Sequence, residues 1–110
     1  MSFDLAVLLR RLAAADAGQR ARAADEVTDG LTGSRSDYTD AEAGALMRAL
    51  ARARLDESDP TASEAQLNAL SELAVWHALP LDVVEQLRTL DPARIQVGER
   101  RHLGDLLDGD

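Results

Sequence analysis

Residues 59–73 read Asp59-Pro-Thr-Ala-Ser-Glu64-Ala-Gln-Leu67-Asn-Ala-Leu70-Ser-Glu-Leu73. Asp59 before Pro60 is a helix start. A short carboxylate there can accept an early backbone N–H, and proline fits the first helical position because its missing N–H is not needed. Thr61-Ala-Ser-Glu64 offers a second capping-box spacing in the same turn. Leu67, Leu70, Leu73, Ala74 and His77 then recur at helical spacing until Pro80 stops the run. The segment reads as one long, alanine- and leucine-rich helix.

Capping signals recur at Asp16-Ala-Gly-Gln19, Thr39-Asp-Ala-Glu42 and Asp82-Val-Val-Glu85. Asp16 to Asp59 is 43 residues, and so is Thr39 to Asp82. Two interleaved series of helix starts therefore share one period. Between them lie the expected helices. Leu5, Leu8, Leu9 and Leu12 mark the first, over roughly 3–15. Ala24, Val27 and Leu31 mark a second, ending near Gly30 and Gly33. Ala43, Leu46, Met47 and Leu50 mark a third, reaching about Leu55. Val83, Val84, Leu87 and Leu90 mark a short fifth, stopped before Pro92. Leu103, Leu106 and Leu107 mark a sixth, which begins near Val97 or Gly98. The polar stretch Gly33 to Asp37 is the longest obvious loop, and no alternating run is long enough for a strand.

A two-helix period of this length is the pattern of stacked helical hairpins, each too thin to bury its apolar face alone. The fold expected is all-α: a right-handed stack of three antiparallel hairpins at about 3–31, 39–78 and 82–108, in one domain. The alternative is an ordinary six-helix bundle. Asp59-Pro60 followed by Ala65, Leu67, Ala69-Leu70 and Leu73 resembles the second helix of a HEAT-type repeat, with residues 16–31 as a degenerate copy. The whole also resembles short, acidic helical-repeat proteins of high-GC bacteria, some of them suspected immunity proteins of polymorphic toxin systems. That resemblance implies a fold and a protein partner, and it transfers no site residue.

Composition limits the chemistry. In 110 residues 45% are hydrophobic and 29% charged, which is globular. Cysteine is absent and all 12 basic residues are arginine, so thiolate and lysine chemistry are excluded. A formal charge of -8 argues against a nucleic-acid partner. No apolar run suits a signal peptide or a membrane span, so a cytoplasmic location is expected. His77, at the end of an apolar stripe, reads as a helix-end or packing residue, and His102 beside Arg100 and Arg101 as surface. No HExxH, no glycine-rich phosphate loop and no local His–carboxylate pair is present. No metal, cofactor or catalysis is expected.

The charge is uneven. Residues 1–35 hold five arginines and five acids; residues 36–110 hold seven arginines and fifteen acids, at Asp37-Asp40-Glu42, Asp56-Glu57-Asp59-Glu64 and Asp105-Asp108-Asp110 among others. The plain reading is a solvated surface that confers solubility. The sharper reading is a negative field offered to a basic protein such as a nuclease toxin. Phe3 reads as core. Trp76 sits at the edge of its apolar stripe, suited to packing or to a binding hot spot. Tyr38 either staples a helix start or stands exposed between Asp37 and Asp40. In a hairpin stack Asp25, Asp29, Asn68, Glu72 and Asp105 would line the inner surface. Asp37, Tyr38, Asp40, Glu72 and Trp76 are the expected partner contacts of a monomeric, non-catalytic inhibitor or immunity-type module. A scaffold module is the alternative, and it would show an apolar patch near Val75 and Trp76. A helical enzyme or ligand carrier would instead need an enclosed pocket.

Overall fold

Three of the four sequence-derived helix starts are capped as their spacing requires. The Asp16 carboxylate accepts the Gln19 N–H and that of Asp59 accepts the Ala62 N–H, each at 2.9 Å. Thr39 and Glu42 close a reciprocal box, at 3.1 and 2.8 Å. Asp4 adds a cap on the Val7 N–H at 3.2 Å. The fourth start moves. Pro80 is the N-cap, its carbonyl accepting from Val83 and Val84, while Asp82 lies in the first turn and pairs with Arg48 at 2.9 Å. The extended backbone of Pro80 already aims its carbonyl into the helix, which leaves the Asp82 carboxylate free for the arginine.

The computed structural model describes residues 4–31, 36–91, 93 and 95–108. Among them are six helices: α1 (Leu5–Leu12), α2 (Ala17–Asp29), α3 (Asp40–Asp56), α4 (Pro60–Trp76), α5 (Leu81–Arg88) and α6 (Val97–Asp108). The one β feature among the described residues is an isolated bridge between Leu31 and Ser36. Phe3 and the side chains of His102, Asp105 and Asp108 lie outside the described residues, as does Asp110. α1 is shorter than its leucine pattern suggests, and α4 ends before Pro80 because His77 turns to extended backbone.

Consecutive helices touch within the pairs α1–α2, α3–α4 and α5–α6. Helices two apart also touch: α1–α3, α3–α5, α2–α4 and α4–α6. The result is an all-α bundle with a radius of gyration of 12.8 Å, against about 13 Å for a compact chain of this length. α4 sits at its centre, packed on α2, α3 and α6. Most of its circumference is buried, with Ala62, Ser63, Ala65, Gln66, Leu67, Ala69, Leu70 and Leu73 enclosed, while Thr61, Glu64, Glu72 and Val75 mark an exposed edge. Its alanines let neighbouring backbones approach, and Leu46, Met47 and Leu50 of α3 and Val27 of α2 fill the space between.

Two acids are inside. Glu57, read above as part of a surface cluster, is buried and saturated. Its Oε1 accepts from Arg20 Nε (2.7 Å) and Gln66 Nε2 (2.8 Å), and its Oε2 from Arg20 Nη2 (2.8 Å) and the Asp59 N–H (3.1 Å). Arg20 Nη1 also donates to the carbonyls of Ala14 and Ala15, both at 2.8 Å. Glu99 forms a two-bond pair with Arg54, at 2.8 and 2.9 Å, with both side chains buried. Such pairs are costly to break from one side, because the remaining charge is left dehydrated.

Hydrogen bonding from Arg20, ahead of opposing burial, holds the Glu57 carboxyl down at about 2. A depressed carboxylate stabilises the fold above its unfolded value, and this contribution disappears as pH falls through the folded value. Urea midpoints should therefore drop as pH is lowered from about 4.5 toward about 2. Glu57→Gln should cost about 3–5 kcal/mol at neutral pH and should flatten that part of the profile.

Candidate interaction site

Three segments meet where α4 ends: the approach to α3, the first turn of α3 and the C-cap of α4. The bridge between Leu31 and Ser36, with the Asp37 N–H on the Gly30 carbonyl at 2.9 Å, brings the chain back to the end of α2. Tyr38 then turns inward. Its hydroxyl donates to the Val27 carbonyl at 2.8 Å, which also accepts the N–H of the C-cap Gly30 at 3.2 Å. The ring lies on Gly30, where even a methyl group would overlap it.

At 8% exposure Tyr38 is a core residue and does not stand exposed between Asp37 and Asp40; its ring and hydroxyl rest on the end of α2. A tyrosine can be buried when its hydroxyl finds an acceptor, and the end of α2 supplies one. Burial, reinforced by the nearby charges of Asp37, Asp29, Glu26 and Glu42, pushes the phenol up to about 12.

His77 caps α4, its N–H on the Leu73 carbonyl at 2.9 Å. The ring is almost enclosed and engaged at both nitrogens. Nδ1 lies 2.7 Å from Asp40 Oδ1, and Nε2 lies 2.7 Å from Ser36 Oγ. Ser36 Oγ also accepts the Tyr38 N–H at 3.2 Å. Neither Asp40 nor Ser36 was recognisable as a partner of His77 in the sequence, since 37 and 41 residues separate them from it. A polar serine in a loop and a histidine at a helix end carry no local signal.

Beside this clasp the surface is apolar. Val75 is 72% exposed, Leu81 69% and Trp76 36%, with Glu72 exposed one helical turn before Trp76. The structure thus places Asp40 against the residue that follows Trp76, and sets Glu72 and Trp76 on one edge of α4. Asp37 is exposed, but it faces a different feature. It lines a groove of about 540 Å³ with Asp4, Glu26, Asp29 and Arg11 around Val7, Leu8 and the edge of Tyr38. Three of those acids come from the charge-balanced first third of the chain, so linear charge counts hide this acidic surface. A larger groove of about 670 Å³ contains Arg20, Arg48 and Arg52, but Glu57 and Asp82 already hold the first two. Among the described residues no cluster of three or more potential metal ligands occurs, and no helix is long and apolar enough to cross a membrane.

Tyr38 is the chain's only tyrosine, so phenolate absorbance reports it alone. Its titration in native protein should centre near 12, against about 10 in urea. A raised acid pKa means the unfolded chain ionises first, so stability present below pH 10 should decline as pH rises toward 12. Gly30→Ala should destabilise by about 1–3 kcal/mol through overpacking, and Tyr38→Phe by about 1 kcal/mol through the lost hydrogen bond; denaturant titration measures both.

Comparison of the chain with protein-family models, with curated proteins and with solved structures returns no match, so any function has to be argued from the site itself.

Proposed function

We propose that the protein is a protein-binding module and that the end of α4 is its binding face. The observation that carries this is the exposure of Val75, Trp76 and Leu81 at and just after the end of α4, with Glu72 one turn back on the same helix and Asp40 held on the ring of His77. An aromatic anchor within an apolar patch, with charge at its rim, is the usual composition of an interface hot spot. Carboxylates at the rim select a partner that is basic around an apolar pocket and speed its approach. An inhibitor or immunity-type protein that occludes a basic toxin such as a nuclease fits these demands. Chain-wide charge of -8 supports the same steering.

The helix contacts support a hairpin stack as the scaffold for this face. Helices α1, α3 and α5 would form one layer and α2, α4 and α6 the other, with the N-caps Asp16 and Asp59 one period apart. A second reading, a scaffold module that self-associates or docks in a larger complex, is favoured by the high exposure of Val75 and Leu81. Mass measurement in dilute solution separates the two, since a stable homo-oligomer supports the second.

A photo-crosslinking residue at Val75 should capture a basic protein from the cells that make this chain. Binding of that purified protein should weaken about tenfold or more between 50 and 500 mM salt and about tenfold or more with Trp76→Ala. Asp40→Asn with Glu72→Gln should reduce the salt dependence. Affinity indifferent to salt and to all three substitutions would refute the proposal.

A further inference from the structure

The chain Asp40–His77–Ser36 has a direction. Asp40 is an ionised acceptor, so a neutral imidazole carries its proton on Nδ1 and offers the Nε2 lone pair to the Ser36 O–H. The remaining capacity of Ser36 Oγ takes the Tyr38 N–H. A hydroxyl within 2.7 Å of an imidazole nitrogen, with a carboxylate 2.7 Å from the other nitrogen, is the arrangement that activates a serine. All three residues have partners, and the ring is almost wholly enclosed, so its orientation is fixed. Ser36 itself is only half-buried.

We propose that Ser36 is a nucleophilic serine that takes the acyl group of small carboxylic esters, with His77 as its general base and Asp40 as the residue that positions His77. As Oγ bonds to the ester carbonyl carbon, the hydroxyl proton passes to His77 Nε2. Collapse of the adduct breaks the carbon–oxygen bond to the alcohol, which leaves with that proton. Water then adds to the acyl carbon, gives a proton to Nε2, and the carboxylic acid departs as Ser36 Oγ is reprotonated. The capping box occupies the Thr39 and Glu42 amides, while those of Asp40 and Ala41 in the first turn of α3 have no acceptor among the described residues. They are the backbone donors closest along the chain that could meet a developing oxyanion.

Two features set limits on this chemistry. The Asp40 side chain is 96% exposed, so water screens its hold on the imidazole and its contribution is smaller than that of a buried carboxylate. Arg35 precedes Ser36, and Asp37, Asp40 and Glu42 follow it, so the sequence around the hydroxyl is net negative and uncharged esters are favoured over anionic ones.

The test is labelling of the full chain with an uncharged fluorophosphonate, which bonds phosphorus to a nucleophilic serine oxygen and releases fluoride and a proton. Intact mass and peptide mapping should show one adduct, on Ser36, formed about 100-fold or more faster in native than in urea-unfolded protein. Ser36→Ala should abolish it, His77→Gln should slow it about 100-fold, and Asp40→Asn should slow it less than His77→Gln does. Native and unfolded wild-type chains labelling at equal rates would overturn the proposal without any variant having to fold. So would an unchanged rate in folded His77→Gln, leaving the three side chains a structural clasp.

Discussion

A buried carboxylate must have its oxygens filled, and Glu57 meets that demand with four hydrogen bonds from three separate parts of the chain. Arg20 brings α2 and, through Ala14 and Ala15, the preceding turn; Asp59 brings the entrance to α4, and Gln66 its second turn. Losing Arg20 would leave a dehydrated charge. The two helix junctions and the position of α4 against α2 are therefore fixed together. α4 is in turn the element on which α2, α3 and α6 all pack.

The acidic surplus divides by physical role. Asp4, Asp16 and Asp59 cap helices, and Glu42 completes a box. Glu57 and Glu99 are interior, and Asp82 and Glu26 are paired with Arg48 and Arg11. Asp37, Asp40 and Glu72 remain on the outside, Asp40 with one carboxylate oxygen on the His77 ring. Net charge alone could not make this division. A Coulomb field at a surface depends on which acids have found partners within the fold, and two of the pairs reach across 37 and 45 residues.

Legibility in the sequence followed interaction range. Helix starts at Asp16, Thr39 and Asp59 depend on a side chain and an amide three residues apart, and they could be read directly. The length and leucine–alanine density of α4 could be read as well, but its central position rests on contacts with α2 and α6 that the chain reaches only by folding. The start at Asp82 was misplaced by two residues because Arg48, on another helix, takes its carboxylate. Tyr38 was ambiguous because its burial depends on Gly30 and the Val27 carbonyl, which the chain reaches only by folding back. Glu57 looked like surface because charged neighbours surround it in sequence. His77 looked like packing because neither of its ring partners is near it in the chain. Of the candidate contacts, Asp40, Glu72 and Trp76 fall around one end of α4, whereas Asp37 lines a separate groove.

The shared position of α4 also bears on how the chain can be divided. No cut between consecutive helices leaves two closed pieces. Residues before Pro60 contain the faces of α2 and α3 that α4 covers, and residues after Trp76 contain the face of α6 that it covers. A nascent chain must therefore keep Val27, Leu46 and Leu50 exposed until α4 has been made. The spacing shared by the Asp16 and Asp59 caps brings no autonomy to either half: the molecule closes only when its fourth helix arrives.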